Sequence, residues 1–155
     1  MKYFKLIIIT FFLLSTQLLF GQTIPKEVKA TFDTKYPDAS AVDWSILEDD
    51  NGYKVDFVDE EKSKYAVFSL AAEWLETITT INNKRELPEL VQESIDEAYP
   101  ECSYDLMLFS ETPEQSYFTI TITSGTEENE KLVLTVTENG EITSVSEGNE
   151  NHRPQ

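Results

Sequence analysis

The stretch DTKYPDASAVDW, residues 33–44, decides the fold, because a variant of it recurs at residues 96–107 as DEAYPECSYDLM. Comparing the chain with itself at an offset of 63 aligns both Tyr-Pro pairs and the apolar residues that precede them. A fixed offset of this kind is typical of an internal repeat. We therefore interpret residues 22–81 and 87–147 as two copies of one unit, joined by a polar linker at 82–86.

Each copy begins with a predicted helix. An apolar residue recurs at every fourth position before the Tyr-Pro pair, which is the spacing of one helical face. A proline stands near the start of each run, where its missing N–H has no partner to lose. The second proline pushes the residue before it out of helical geometry and ends the helix. The apolar positions are Ile24, Val28, Phe32 and Tyr36 in the first copy, and Leu87, Val91, Ile95 and Tyr99 in the second.

Four runs of alternating apolar and polar residues follow each helix, as in half-buried strands. The predicted fold class is α+β: a tandem repeat of a helix followed by a four-stranded antiparallel sheet, in two layers. Units of this size bury little surface alone, so we expect the two copies to share a core or a continuous sheet. The residues whose parity should meet the helices are Phe32, Trp44, Phe57, Phe68 and Trp74.

The order of these motifs resembles the PepSY-like family, a group of exported bacterial proteins described as similar to β-lactamase inhibitors. The resemblance covers residues 23–147 and lies in the helix, Tyr-Pro, Trp44, Gly-Tyr-x-Val-x-Phe at 52–57, and Trp-Leu-Glu-Thr at 74–77. It departs at residues 69–73, where the family has an acidic-glycine turn. The resemblance implies a fold similar to that of the β-lactamase inhibitor protein and favours a non-catalytic binding module. It carries over no inhibitory residue to this chain.

The first 21 residues predict export. Lys2 and Lys5 precede a nearly continuous apolar run at 6–20, which is the layout of a secretory signal peptide. The run is short for a membrane-spanning helix, although an uncleaved anchor is the alternative. Cleavage after Gly21 predicts a protein of the periplasm or the medium with no membrane attachment.

The charge of the chain restricts its partners. The formal charge is −17, and loss of Lys2 and Lys5 with the signal peptide makes it two units more negative, −19. Such a field repels phosphate groups, so we expect no nucleic acid partner and no anionic membrane surface. Solubility is one explanation of the charge, and a basic partner or loosely held cations are the others. The polar residues 148–155 are predicted to form a disordered tail.

Residues for catalysis are few. His152, the only histidine, lies in the polar tail, so histidine-based zinc sites and nucleophilic triads lack their parts. Cys102 is the only cysteine, has acidic neighbours and takes the place of an alanine in the first copy. We expect no disulfide, no cofactor, no metal and no enzymatic activity. A small envelope enzyme or cation-binding protein that uses surface carboxylates is the alternative.

The sheet face away from the helices is the candidate site. Threonines at 77, 79, 119, 121, 123, 135 and 137 should point there, as on a water-facing sheet. Tyrosine is common in protein-binding patches, so this face is predicted to dock a protein or peptide. A purely structural unit whose sheet edges pair with neighbours is a further reading. The predicted partner-binding residues are Tyr65, Val67, Tyr117 and Val133.

Overall fold

The computed structural model describes residues 23–48, 51–125 and 130–148, which contain two α-helices, eight strands and one 3₁₀ turn. The helices are α1 (Lys26–Lys35) and α2 (Glu89–Ala98), and the 3₁₀ turn is Lys84–Glu86. The strands are β1 (Ser40–Ile46), β2 (Tyr53–Asp59), β3 (Lys62–Phe68), β4 (Trp74–Ile81), β5 (Ser103–Glu111), β6 (Ser116–Thr123), β7 (Lys131–Thr137) and β8 (Ile142–Glu147).

Both helices have the ends that their prolines predict. Pro25 and Pro88 directly precede the first helical residues. Tyr36 and Tyr99 follow the last helical residues, and the N–H of each donates 2.8 Å to the carbonyl four residues earlier. The proline after each tyrosine cannot continue the helix, so the chain turns towards its first strand.

All eight strands form one antiparallel sheet in the order β1 to β8. The predicted α+β class, a tandem repeat of a helix followed by a four-stranded sheet, is therefore wrong. Strands β4 and β5 pair along five residues, from Thr77 with Glu111 to Ile81 with Met107. Two separate sheets would leave the inner edges of β4 and β5 with unpaired N–H and C=O groups, and the continuous ladder satisfies both edges. The described chain is mostly β, with one long sheet and two short helices.

Both helices cover the same face of the sheet. The cross-strand pairs run from Phe57 through Lys64, Thr79 and Phe109 to Phe118, and directly paired residues share a face. Helix α1 packs on β1–β4 and helix α2 on β5–β8, each with its own buried cluster. The aromatic cluster under α1 contains Val28, Phe32, Val55, Phe57, Ala66 and Phe68, with Tyr36, Trp44 and Trp74 packed against it. The aliphatic cluster under α2 contains Ile81, Leu87, Val91, Ile95, Met107, Phe118, Ile120, Ile122, Leu132, Leu134 and Val136.

A bulge near the start of β4 changes which side its threonines occupy. Phe68 pairs with Trp74 but Val67 pairs with Glu76, so Leu75 is an extra residue in β4. An extra residue reverses the alternation of faces beyond it. The prediction that Thr77 and Thr79 point away from the helices is therefore wrong, and both are buried on the helix side, with 1% and 7% exposed.

Two predictions concern residues that the structure does not describe. The signal peptide at 1–21 lies wholly outside the described residues, as does the tail beyond Gly148. Within the described ranges, neither helix has the length and hydropathy needed to cross a membrane.

Candidate interaction surface

The sheet face opposite α1 and α2, which we name the open face, is covered by no other described element. Directly paired residues share a face, so the residues that pair with Tyr65 and Tyr117 lie on the open face. Every second residue along each strand from these positions lies on it as well, except where a bulge intervenes. Most of these side chains are half-buried by their neighbours on the sheet. The central residues of the open face are Tyr65, Val67, Ile78, Thr80, Leu108, Ser110, Tyr117, Thr119, Thr121, Val133, Thr135 and Thr137.

One row of paired residues crosses the middle of the open face and carries both tyrosines. Tyr65 pairs with Ile78, Ile78 with Ser110, and Ser110 with Tyr117. Tyr65 and Tyr117 are three strands apart, roughly 14 Å between backbones at the usual strand spacing. Ser110 is only 3% exposed, because its short side chain lies between larger ones. The row therefore presents an aromatic and aliphatic band across β3–β6.

Charged residues surround the Tyr65 end of this band. Lys54 Nζ lies 4.6 Å from the centre of the Tyr65 ring and 3.3 Å from Asp56 Oδ1. Burial raises the pKa of the Tyr65 hydroxyl to about 12, and the nearby negative charges of Glu76 and Asp56 add to the increase. The phenol is therefore neutral at physiological pH and keeps its O–H as a hydrogen-bond donor.

The opposite corner of the open face is polar. Thr123 Oγ1 donates a hydrogen bond of 2.7 Å to Asp105 Oδ2, and Lys131 Nζ lies 3.9 Å from the same oxygen. A bulge in β5 at Asp105 brings this carboxylate to the register of Thr123. This corner thus satisfies its charges internally.

All four predicted site residues lie on the open face, and three of them lie on or beside the row that joins Tyr65 to Tyr117. Tyr65 and Val67 are neighbours on the same side of β3, and Tyr117 belongs to the same row as Tyr65. Val133 instead pairs with Thr121, four residues along β6 from Tyr117, which places it roughly 13 Å further along the strands. The binding role of all four remains a prediction.

Sequence reasoning missed Ile78 and the charged side chains around Tyr65. An alternation that puts Thr77 and Thr79 on the open face leaves Ile78 on the helix side, because the bulge at Leu75 has no clear signal in the sequence. Lys54 and Glu76 pair with Val67 from the two neighbouring strands. Their proximity to Tyr65 therefore depends on the strand register, which the sequence pattern does not contain.

A second cluster lies on the helix side, between α2 and β5. Lys84 Nζ contacts both Asp96 carboxylate oxygens at 2.7 Å and lies 4.4 Å from the centre of the Tyr104 ring. The hydrogen bond from Lys84 lowers the pKa of Asp96, and Tyr104 also donates to this carboxylate at 2.9 Å. Burial raises the pKa of the half-buried Cys102 thiol, which keeps it protonated and weakly nucleophilic at neutral pH. This cluster fixes the start of β5 against α2.

The described residues contain no group of three or more histidine, cysteine or acidic side chains positioned to hold a metal ion. His152 lies outside the described ranges. The carboxylates of the open face come at most in pairs, such as Asp43 opposite Asp56, among apolar and basic neighbours.

Comparison with known proteins identifies the fold. No known family profile matches the chain, and no curated protein matches it. Among solved structures, a BLIP-like protein from Bacteroides fragilis is 24% identical with a TM-score of 0.73, over 86% of this chain and 96% of that one. A DUF2874 family protein from Bacteroides ovatus is 26% identical with a TM-score of 0.72, over 82% of this chain and 89% of that one. A protein from Bacteroides eggerthii described as "putative periplasmic" is 23% identical with a TM-score of 0.70, over 81% and 89%.

These similarities show that the chain has a BLIP-like fold, as its motifs implied. They do not extend to a PepSY family assignment, since no family profile matches. A shared fold does not determine function, which depends on the side chains that the open face presents.

Proposed function

We propose that the chain is an exported, non-catalytic binding protein that docks another protein on its open face. The observation that carries the proposal is the row from Tyr65 through Ile78 and Ser110 to Tyr117, an aromatic band with charged residues at its margin. Protein interfaces are enriched in tyrosine at their centre and have polar rims, which is the arrangement found here.

The construction of the sheet supports this use. Eight paired strands and two buried clusters hold the backbone of the open face rigid, so a partner meets preorganised side chains. Tyrosine loses little conformational entropy on contact because it has only two side-chain torsions. Tyr65 and Tyr117 are already half-buried, which reduces that loss further.

Export of the chain rests on its N-terminal pattern and on the periplasmic description of a structural relative. Fractionation of cells that express the full chain tests it. We expect the protein in the periplasm or the medium, with an N-terminus generated near Gly21. Retention in the cytoplasm at full length would contradict export.

Photo-crosslinking tests the docking surface directly. Benzoylphenylalanine at Thr119, in the centre of the open face, should yield a discrete crosslinked product with exported proteins, which mass spectrometry then identifies. The same group at Leu90, which is 55% exposed on α2, is the matched control on the other side of the molecule. Equal crosslinking from both positions would contradict docking on the open face.

Substitution of the tyrosines then tests the aromatic band. Capture of the identified partner should fall at least tenfold for the Tyr65→Ala, Tyr117→Ala double variant, since interface tyrosines often contribute about 2 kcal/mol or more. Circular dichroism and thermal unfolding verify that the variant is folded. Leu90→Ala should leave capture unchanged, and unchanged capture by the double variant would exclude this band.

A further inference from the structure

The open face is anionic at the end that contains Tyr65. Asp43 and Asp56 stand directly opposite each other on β1 and β2, in the row that continues to Tyr65. Glu76 occupies the adjacent row, beside Val67. Like charges directly opposite each other in a sheet destabilise it, so this pair gains most from a cation nearby. The formal charge of the whole chain, −17, reinforces the local field.

Lys54 shows where such a cation fits. Its ammonium lies 4.6 Å from the centre of the Tyr65 ring while contacting Asp56 at 3.3 Å. The Lys54 side chain is 20% exposed, whereas that of Asp56 is 51% exposed. A ring face together with a carboxylate favours a cation more strongly than either group alone. The exposed carboxylate retains acceptor capacity that a single ammonium does not use.

Arginine matches this arrangement better than lysine does. Its planar guanidinium can stack on the Tyr65 ring and at the same time donate hydrogen bonds to Asp56 or Glu76. The neighbouring Ile78 and Tyr117 offer an apolar surface to the stem of such a side chain or to the residues beside it. The chemistry at this end of the open face is therefore complementary to a basic polypeptide.

We propose that the partner is a basic protein segment, which places an arginine or lysine side chain over Tyr65 between Asp56 and Glu76 and displaces Lys54. This inference rests on the proposed docking function and adds the chemistry of the partner to it. In the free protein, Lys54 occupies the cation position and partly neutralises Asp56. The basic side chain of the partner must therefore compete with Lys54 for this position.

A short labelled peptide of alternating arginine and serine is the probe, and fluorescence anisotropy at physiological salt is the measurement. We expect binding by the whole protein, and none by the counterpart peptide of alternating glutamate and serine. Lys54→Met keeps an apolar stem but removes the competitor, so it should tighten binding about fivefold, while Glu76→Gln should weaken it about fivefold. Thermal unfolding of each variant verifies its fold.

Glu93→Gln is the matched control, because Glu93 is exposed on α2 and its replacement changes the net charge equally. Equal weakening by Glu76→Gln and Glu93→Gln would show that the peptide follows net charge alone and would overturn the proposal. Unchanged or weaker binding by Lys54→Met would overturn it as well. If Thr119 still crosslinks a partner whose capture ignores Lys54→Met and Glu76→Gln, docking on the open face stands and the basic chemistry is wrong.

Discussion

The two ends of one sheet are packed by different kinds of side chain. Under α1, the ring of Phe32 meets the rings of Phe57 and Trp44 at centroid distances of 5.1 and 5.4 Å. Under α2, the buried residues are mostly isoleucine, leucine and valine. Both clusters lie beneath a ten-residue helix and on four strands. The difference shows that the same backbone arrangement can be filled by a few large side chains or by more small ones, provided that the volume is filled.

Aromatic packing introduces polar atoms that must be satisfied inside the cluster. Trp74 Nε1 donates a hydrogen bond of 2.8 Å to Thr77 Oγ1, and the Tyr36 hydroxyl bonds the same oxygen. Thr77 is 1% exposed, so these groups have little access to water. Of the two tyrosines beside the aliphatic cluster, Tyr99 and Tyr104, the latter donates to an exposed partner, Asp96. The aromatic end is therefore more sensitive to the loss of one hydroxyl.

Truncation of the aliphatic cluster under α2 should produce the largest effect and tests whether the two ends of the sheet unfold together. Leu134→Ala, at a fully buried position of β7, should lower the free energy of unfolding by about 3 kcal/mol. Both tryptophans lie at the other end of the sheet, in β1 and β4. Since the sheet is continuous, tryptophan fluorescence and far-ultraviolet circular dichroism should report the same shifted urea midpoint.

The matched control for this truncation is Val145→Ala, because Val145 is 49% exposed in β8 and should change stability by about 0.5 kcal/mol or less. A fluorescence transition that stays in place while the dichroism transition splits would show that the aromatic and aliphatic ends unfold independently.

Substitution of Gly140, in the turn that precedes β8, should have the second largest effect on stability. Gly140 has φ +84°, and a Cβ at this position would lie 2.4 Å from the Leu90 carbonyl oxygen of α2. Gly140→Ala should therefore lower stability by about 2 kcal/mol, from strained backbone and from displacement of the helix. Thermal or urea unfolding measures it. Asn139→Ala, at an exposed position of the same turn, should cost much less, and equal losses would refute the clash.

Removal of the Thr77 hydroxyl tests the polar atoms of the aromatic end. Thr77→Val keeps the shape but leaves Trp74 Nε1 and the Tyr36 hydroxyl without their shared partner, which should cost about 1–3 kcal/mol. Thr77→Ser restores the hydroxyl with a smaller side chain and should recover part of this loss. A valine variant as stable as the wild type in urea would contradict this prediction, since it would mean that water replaces Thr77 as the partner of Trp74 Nε1 and the Tyr36 hydroxyl.

The pH dependence of stability also depends on Tyr36. Burial raises the pKa of its hydroxyl to about 12 from an ordinary 10.0, so the folded state favours the neutral phenol. The contribution is complete below pH 10 and is lost as the pH rises to about 12, because the unfolded chain releases the proton first. Tyr36→Phe should flatten the decline in melting temperature over this range. Tyr65, whose pKa is also about 12, still contributes to the decline in melting temperature in this variant. An unchanged slope in the Tyr36→Phe variant would contradict a contribution from Tyr36.

The sequence predicted the helices and the buried rings because their signals are local. Four-residue spacing and proline positions define α1 and α2, and period-two alternation identifies Phe57 and Phe68 as core. The alternation is compatible with either a shared core or a continuous sheet between β4 and β5, and the predicted class with a four-stranded sheet in each copy is wrong. Pairing between distant strands depends on register, which the alternation of one strand does not contain.

The candidate site was predicted less completely for the same reason. Tyr65, Val67 and Tyr117 lie on the open face, since no bulge separates them from the alternation that assigned them. Thr77 was misplaced because Leu75 adds one residue to β4. The charges around Tyr65 come from β2 and β4, and only the paired sheet brings them beside one ring.

Substitution of Ala72 should have the smallest effect on stability. Ala72 occupies, in the turn before β4, the position that Gly140 occupies in the turn before β8. In its turn, Ser69 N–H donates to Glu73 O at 2.8 Å and Ala72 N–H to Ser69 O at 3.0 Å. The turn of Gly140 has the same two bonds, from Thr137 N–H to Glu141 O at 2.9 Å and from Gly140 N–H to Thr137 O at 3.0 Å. Yet Ala72 has φ +62°, a region that costs an alanine about 1–2 kcal/mol and a glycine almost nothing.

Ala72→Gly should therefore raise the free energy of unfolding by about 0.5–1 kcal/mol, since relief of the strain exceeds the entropy that glycine loses on folding. Ala71→Gly is the control in the same turn. Ala71 is not among the described residues with positive φ, so glycine there brings only the entropic loss and should lower stability. Opposite signs for the two variants in urea unfolding would establish that one alanine holds a glycine position. Equal signs would mean that packing of the Ala72 methyl against the aromatic cluster outweighs the strain, and that the aromatic end tolerates alanine where the aliphatic end requires glycine.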